Sequence, residues 1–519
     1  MRAPSFCRSR RGAATILLFG LAGCFTYRKV EVKQVNPRAS TIVVSPVRAH
    51  LADGSTIVFA KGFSVTGTDV NGAGLRYAAG SSSATPSNTI ALDSVIGMEV
   101  FETDTLVGKS FLVTTAVTAV TIVGTVALLK AVFGSCPTFY SDSSGTPVLE
   151  AEGFSYSIAP MFEQRDVHRL RAVPSEQGVL SLQVRNEALE THYINQLELL
   201  EVRHASDEYV TPDNRQLPLA LRGLAPPTKA IDRAGRDITP EIDLADGKLF
   251  TTDSATFANA GAGDLEDFID LEIPNPAHAD TVALVLKMRN SLLNTVLLYD
   301  QILGAPGAQS LDWLGHDIKR IAPAIEMGKW YATHMGMRVS VRDGDTYKIV
   351  GRIGDSGPIA FHEVAFLVPV PRGEEKDRVH VRLSFVADQW RIDQIRSAST
   401  YRRPSVRLVP ASDVVMSDAS QNEGAKRGMR SADQQYLVTS PAQSFTVRFA
   451  VGKDDGTPRT FLLASQGYYT EWVRGSWIKS ASGQQFRTSE QSIVAALDHW
   501  RSERPTLERE FYSTRIATR

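Results

Sequence analysis

The chain has 519 residues, 43% of them hydrophobic and 22% charged, an ordinary globular composition with room for about two to four domains. Lys and Arg total 56 against 57 for Asp and Glu, which disfavours nucleic-acid binding as the main task because that task usually brings a basic excess. Three cysteines are too few for a disulfide framework.

The first predicted element is a secretory signal peptide at residues 1–23. Four arginines and no acidic residue stand in the first eleven positions, and an uncharged core too short to span a bilayer follows. The segment ends in Leu-Ala-Gly-Cys, which resembles the lipobox of bacterial lipoproteins. This resemblance implies cleavage before Cys24, diacylglycerol on its thiol and a further acyl chain on its amine. A plain signal peptide or an uncleaved anchor is the alternative.

Residues 24–108 are predicted to form a small β-barrel or β-sandwich. β-branched residues alternate with polar ones over "STIVVSPVRAHLADGSTIVFAKGFSV", and Asp53-Gly54 in its middle is typical of a hairpin turn.

Residues 110–129 are predicted to form a hydrophobic helix. This stretch carries no charge, is flanked by Lys109 and Lys130, and has the length that spans a bilayer. It either crosses a membrane or is a helix covered by protein. We expect it to be embedded or covered, with the large domain after it on the exported side.

The rest of the chain is predicted to contain a β-rich domain at 134–280, a helical subdomain at 282–336 and a second β-rich domain at 337–480. Strand-like alternation supports the β-rich parts, and Leu, Ile and Trp at helical spacing support the subdomain. A final helix is expected within 484–512, near 489–503, with Pro505 after it. The predicted fold class is therefore mainly β and multi-domain, with a hydrophobic helix and one helical subdomain.

One short motif suggests nucleophilic chemistry. The segment "GDSGP" at 354–358 resembles the sequence around the nucleophile of chymotrypsin-like proteases, which places the serine at Ser356. That serine needs a histidine base and an aspartate beside it. The family's histidine segment has no match here, and Pro358 stands where the family has glycine. A tight turn between strands explains the motif as well.

Other candidate groups are weaker, and no catalytic residue, metal ligand or cofactor is predicted. Ten histidines are scattered without metal-ligand spacing, and Cys136 is expected to be a buried apolar residue. The acidic stretch at 264–272 suggests either Ca²⁺ ligands or a solvated acidic edge. The aromatic residues Tyr468, Tyr469 and Trp472 are candidates for carbohydrate or partner contact, with core packing as the alternative.

Several segments of the mature chain resemble uncharacterised bacterial envelope lipoproteins. They are "LADGSTIVFAKGFSV" with "LDSVIGMEV", then "GSCPTFY", "VRNEALETHYINQLELLEV" and "FVADQWRID". The resemblance implies an envelope protein and transfers no catalytic residue.

The expected function is that of a non-enzymatic structural or binding module, anchored by lipid in the outer membrane or on the periplasmic face of the inner membrane. Its expected partners are the membrane and other envelope proteins, and not nucleic acid. The alternatives are an envelope hydrolase whose site is not visible in sequence and a carbohydrate-binding protein.

Overall fold

The computed structural model describes most of the chain from residue 47 onward and three short strands before it. The described residues are 26–28, 32–33, 41–43, 47–105, 136–298, 321–474, 489–513, 515 and 518, without 52, 54, 78–83, 101–102, 144, 159–161, 372–376, 418–421 and 434–435. The predicted signal peptide, Cys24 and the predicted hydrophobic helix at 110–129 lie outside these residues. Within them, no helix combines the length and the apolarity that a membrane crossing needs.

Strands make up most of the described structure, which confirms the prediction of a mainly β protein. The N-terminal region contains β1 (Thr26–Arg28), β2 (Val32–Lys33), β3 (Thr41–Val43), β4 (Val47–Leu51), β5 (Thr56–Phe59), β6 (Phe63–Thr66), β7 (Asp69–Tyr77), β8 (Ala84–Ala91), a 3₁₀ turn (Leu92–Ser94), β9 (Val95–Val100) and β10 (Thr103–Thr105).

The middle of the chain adds strands and three short helices. They are β11 (Thr138–Ser143), β12 (Thr146–Glu152), β13 (Gln164–Arg169), β14 (Val179–Arg185), β15 (Glu190–Arg203), β16 (Glu208–Pro212), β17 (Pro218–Arg222), β18 (Lys229–Asp232), α1 (Thr239–Ile242), α2 (Ser254–Gly261), β19 (Glu266–Pro274), β20 (Thr281–Asn290) and α3 (Leu293–Val296).

The last part of the chain ends in a long helix. Its elements are α4 (Ile321–His334), β21 (Met337–Asp343), β22 (Thr346–Ile353), β23 (His362–Pro369), β24 (Arg378–Val386), β25 (Trp390–Ala398), β26 (Thr400–Arg402), β27 (Arg407–Pro410), β28 (Asp413–Met416), α5 (Glu423–Gly428), β29 (Leu437–Thr439), β30 (Ser444–Ala450), β31 (Arg459–Glu471), β32 (Val473–Arg474) and α6 (Glu490–Ser513).

Among the N-terminal strands, β1 and β10 pair with each other, and the others form one antiparallel sheet in the order β2-β3-β6-β7-β5-β4-β9-β32, with β8 also beside β7. Strands β4 and β5 pair across the turn that contains Asp53, as its sequence predicts. The last strand in the order comes from the far end of the chain, where Val473 lies opposite Met98. The N-terminal sheet is therefore completed by a C-terminal segment.

A first sandwich is built from two antiparallel sheets, β12-β11-β14-β30-β28 and β13-β31-β15-β27, with β29 also beside β15. Buried residues of both sheets, among them Leu182 and Val447 from one and Leu199 and Leu463 from the other, belong to the same hydrophobic core. Strands β11 and β12 form a hairpin whose turn residue Gly145 has a φ of +85°, a conformation that favours glycine.

A second sandwich packs the sheet β18-β19-β24-β21-β22 against the sheet β23-β20-β25. In β19 burial alternates residue by residue, as expected for a strand with one face toward a core. A three-stranded linking sheet, β16-β17-β26, shares one apolar cluster with the first sandwich and another with the second. Four sheets and the linking sheet thus follow one another in layers.

Strand pairing crosses the predicted boundaries of the β-rich domains at 134–280 and 337–480. The first sandwich takes strands from 138–203 and from 407–471, and its longest pairing joins β15 to β31. The second sandwich takes its strands from 229–398, between those two parts. The second sandwich is therefore inserted into the first.

The predicted helical subdomain at 282–336 is wrong in its first part. Residues 281–290 form the central strand β20, which pairs with β23 on one side and β25 on the other. Its sequence TVALVLKMRN is an almost continuous buried run, a pattern shared by central strands and buried helices. The described helices of this range are α3 and α4.

The C-terminal helix α6 continues past the residue where an end was expected. Pro505 lies inside it, although proline removes one backbone donor. Its buried face is formed by residues at helical spacing, namely Ile493, Ala496, Leu497, Trp500, Leu507 and Phe511. These residues belong to the same core as the first sandwich.

Candidate functional site

Six polar side chains converge where the two sandwiches, α3 and the 354–358 loop meet, and we call them the polar cluster. Two come from the end of β12 and the loop after it, two from the end of β20 and α3, one from the "GDSGP" loop and one from the β24–β25 turn. They are Glu152, Tyr156, Asn290, Asn294, Asp355 and Gln389.

Glu152 binds the backbone of the loop that follows the "GDSGP" motif. Its Oε2 accepts hydrogen bonds from the amides of Ile359 at 2.9 Å and Ala360 at 3.2 Å, whereas its Oε1 has no partner among the described residues. Burial raises the pKa of this carboxyl to about 7, and the two amides oppose the shift. Gly357 lies so close that a Cβ there would overlap the carboxyl group.

Tyr156 connects the other members. Its hydroxyl lies 3.1 Å from Asn290 Oδ1 and 3.0 Å from the carbonyl oxygen of Ser356, and it accepts a hydrogen bond from Asn294 Nδ2 at 3.1 Å. Burial raises the pKa of the phenol well above its ordinary value, so the hydroxyl keeps its proton.

Asp355 is held by amides rather than by cations. Its Oδ1 accepts hydrogen bonds from Asn290 Nδ2 at 3.0 Å and from Gln389 Nε2 at 2.7 Å. Burial raises the pKa of this carboxyl to about 6. Among the described residues the adjacent Ser356 hydroxyl has no hydrogen-bond partner, so none of them is placed to take its proton as a base. The "GDSGP" segment serves here as a wall of the polar cluster.

A cavity of about 30 Å³ lies beside the polar cluster. It has room for one or two water molecules, whereas pockets for organic ligands are about 300–1,000 Å³. Its wall includes Cys136, which is buried as expected. Burial raises the pKa of this thiol well above its ordinary value, and the nearby carboxyls of Glu190 and Glu152 raise it further. The thiol therefore stays protonated and is a poor nucleophile.

The predicted aromatic contact residues do not form an exposed strip. Tyr468, Tyr469 and Trp472 are each only 2% exposed. Tyr469 donates a hydrogen bond to the carbonyl of Ser155 at 3.0 Å, and Trp472 donates one to Thr191 Oγ1 at 3.0 Å. They are buried because β31, which ends at residue 471, is a central strand between β13 and β15.

The histidines are mostly separated, with one exception. His168 and His362 meet with their Nδ1 atoms 3.1 Å apart. His50 stacks on Trp472 at 3.8 Å, His192 lies 3.2 Å from Glu190, and His316 is outside the described residues. In the part of the chain that the structure describes, no three His, Cys, Asp or Glu side chains are grouped to hold a metal ion.

The acidic stretch at 264–272 is neither a calcium loop nor a free acidic edge. Most of it forms β19, which lies inside a sheet. Its carboxylates face arginines, as in the pairs Asp264–Arg233, Glu266–Arg338, Asp270–Arg382 and Glu272–Arg378, whereas Asp267 is buried against Thr252.

Sequence reasoning missed the polar cluster. In the sequence, Asn290 and Asn294 stand within an apolar run. Because a buried side-chain amide needs hydrogen-bond partners, these two residues were the one signal from which the cluster could have been predicted. Comparison of the chain with models of known protein families finds no match, and comparison with curated proteins finds none either.

Replacing Glu152 with glutamine is expected to change how stability depends on pH. The native carboxyl has a pKa of about 7 against an ordinary 4.5, so the native state binds more protons between these values and stability falls as pH rises. The full effect is about 3 kcal/mol at most. Glutamine keeps the acceptor oxygen and cannot ionise.

Urea unfolding at several pH values from 4.5 to 7.5 measures this. The stability of Glu152→Gln relative to the native protein should rise across that window, while the exposed control Glu176→Gln should give a constant difference. A constant difference for Glu152→Gln as well contradicts the prediction.

Proposed function

We propose that the protein is a lipid-anchored bacterial envelope protein that acts as a structural or binding module rather than as an enzyme. The observation that carries the proposal is the N-terminal sequence, in which a basic start and a short apolar core end in Leu-Ala-Gly-Cys at Cys24. Two or more acyl chains on one residue give stable anchoring where a single chain does not.

The polar cluster supports the non-enzymatic part of the proposal. Most of its donors and acceptors are engaged with one another or with backbone amides, and the cavity beside it has room for water only. Its members join segments of both sandwiches. This arrangement is suited to fixing the sandwiches in one orientation, which a scaffold for partners requires.

Replacing Cys24 with alanine is expected to abolish lipid modification and cleavage before residue 24. Mass spectrometry of the native protein should find a mature N-terminus at Cys24 that carries acyl chains, and detergent should be needed for its release. Cys24→Ala should lack both that mass and that N-terminus. Cys7→Ala is the matched control, because Cys7 is removed with the signal peptide. An unmodified Cys24 or cleavage at another residue contradicts the proposal.

We also propose that residues 134–519 lie on the exported side. The described domains are β-rich on both sides of the 110–129 segment, and a lipid anchor would be redundant beside a spanning helix. Protease added to intact spheroplasts should digest the large domain. If residues 134–519 survive until the inner membrane is lysed, the proposed location is wrong.

Photo-crosslinking in intact cells tests the binding role. Leu408 on β27 and Ile349 on β22 are exposed apolar side chains on edge strands, and a crosslinking residue at either position reports neighbours without disturbing the core. We expect discrete adducts with other envelope proteins from at least one of them. Adducts from neither position would count against a binding module.

A further inference from the structure

The joint between the two sandwiches contains a pair of buried imidazoles. His168 lies on β13 of the first sandwich, and His362 is the first residue of β23 in the second. Their rings meet edge to face with centroids 4.4 Å apart, and the two residues are 6% and 9% exposed. The strands that carry them contact each other, and β16 of the linking sheet packs against both.

The atoms that face each other fix the protonation of the pair. Two Nδ1 atoms 3.1 Å apart form a hydrogen bond only if one carries a proton and the other offers its lone pair. A second proton at this contact would set two N–H groups against each other and leave a positive charge buried. The contact therefore exists only while the accepting imidazole is neutral.

The side chains opposite the pair on the neighbouring strands are apolar. His168 pairs with Leu463 of β31, and His362 pairs with Met288 of β20. The charged or titratable side chains on the elements packed around the pair are Arg165, Asp166 and Arg169 on β13, Glu150 and Glu152 on β12, Glu208 and Tyr209 on β16, Asp213 after it, Lys287 and Arg289 on β20, Tyr347, Lys348 and Arg352 on β22, Glu363 on β23, Arg391, Asp393 and Arg396 on β25, and Arg459, Tyr468, Tyr469 and Glu471 on β31.

The nearest of these groups are already engaged with one another. The guanidinium groups of Arg169 and Arg396 each lie 4.5 Å from the Tyr209 ring centre, and the Tyr209 hydroxyl donates to Glu363 at 2.6 Å. Glu363 also lies 3.7 Å from Arg396. Glu363 Oε2 is therefore paired with other groups, whereas its Oε1 has no hydrogen-bond partner among the described residues. Protonation of Asp166 favours the native contact, whereas protonation of a buried imidazole disfavours it, because burial raises the pKa of the Asp166 carboxyl to about 6.

We propose that the His168–His362 pair is an acid-sensitive joint, closed while the accepting imidazole is neutral and opened by its protonation, which separates β13 of the first sandwich from β23 of the second.

The pKa directions agree with this geometry. Burial lowers the pKa of His168 well below its ordinary value and lowers that of His362 to about 4. An opened joint returns each imidazole to an ordinary value near 6.5. Between pH 6.5 and about 4 the imidazoles of the open state then bind more protons, so their contribution to the stability of the closed state falls with pH, whereas protonation of Glu152 and Asp166 favours the closed state. Taken alone, one histidine raises the open fraction at pH 5 about 30-fold over its value at pH 8.

Hydrogen exchange of the full chain in detergent, followed by mass spectrometry at pH 7.5 and pH 5 with correction for intrinsic rates, measures the opening. Relative to His362→Gln, in which the buried carboxyls still titrate, we expect the native protein to lose about tenfold or more protection in the segments 164–169 and 362–369 between pH 7.5 and pH 5, while β19 and β24 in the second sandwich show no such difference. His362→Gln cannot ionise and should lose most of this acid response, and His204→Gln is the control that should keep it.

Two results would overturn the proposal. One is an equal loss of protection at pH 5 in the native protein and His362→Gln. The other is a rise in melting temperature with Zn²⁺ that His362→Gln abolishes, because two imidazole nitrogens at this spacing would then be metal ligands. His168→Gln repeats the test from the other strand, should His362→Gln fail to fold.

Discussion

Replacing Asp388 with asparagine is expected to destabilise the protein by about 3–5 kcal/mol, because the change leaves a buried guanidinium without its counter-ion. Asp388 accepts hydrogen bonds from both terminal nitrogens of Arg391, at 2.9 Å and 3.0 Å, and from the Trp500 indole at 2.6 Å. Both charged side chains are almost fully buried. Asparagine tolerates the left-handed backbone of this position, where φ is +59°, so the substitution changes charge and not conformation.

Urea unfolding of the variant measures the loss. Asp264→Asn is the matched control, because that carboxylate pairs with Arg233 at the surface, where solvent screens the pair, and its loss should cost much less. Equal losses in the free energy of unfolding for the two substitutions would show that burial of the Asp388–Arg391 pair does not increase its contribution to stability.

The β24–β25 turn that carries Asp388 connects two parts of the molecule. Through Asp388 it binds Trp500 of α6, the helix that packs into the core of the first sandwich. Through the next residue, Gln389, it binds Asp355 of the polar cluster. The segment "FVADQWRID" is therefore a structural joint, which explains why polar residues stand between two buried strands.

Local features of the fold could be predicted from the sequence. The hairpin turn at Asp53 is predictable because the residues that permit the turn stand in the turn itself. The mainly β class followed from alternation within single strands. These signals act over a few residues and do not depend on the rest of the chain.

Long-range features could not be predicted in the same way. Strand β15 pairs with β31 about 270 residues later, and no local pattern records which strand lies beside which. Residues 281–290 have a buried run that suits a helix or a strand, and only the flanking strands β23 and β25 decide between them. The polar cluster is absent from local patterns for the same reason, since Glu152 binds amides more than 200 residues away.

Burial separates the two interpretations of the aromatic residues near 470. Aromatic side chains suit both a sugar platform and a β core, and the sequence gives no information on which face is covered. The structure places Tyr468 against Tyr193, with ring centres 4.5 Å apart, on a strand that is paired on both sides. An isolated aromatic group in a β-rich chain is thus weak evidence for a binding surface.

Replacing Gly357 with alanine is expected to destabilise the protein by about 3 kcal/mol or more. The added methyl group would overlap the carboxyl group of Glu152 and force it away from the amides of Ile359 and Ala360. The cost combines overpacking, about 1–3 kcal/mol, with two buried amides that lose their acceptor. Gly354→Ala is the control in the same loop, because a Cβ there would meet nothing, and it should change stability by less than about 1 kcal/mol.

A double-mutant cycle tests whether Glu152 is the cause. Glu152→Ala alone is destabilising, because it removes the acceptor and enlarges the cavity. In the double variant the methyl group of Gly357→Ala occupies space that the carboxyl group has left, so the combined loss should be smaller than the sum of the single losses by about 1–3 kcal/mol. Strict additivity in urea unfolding would mean that the clash lies elsewhere. A coupling of the expected size identifies the contact between β12 and the 354–358 loop as one that holds the two sandwiches together.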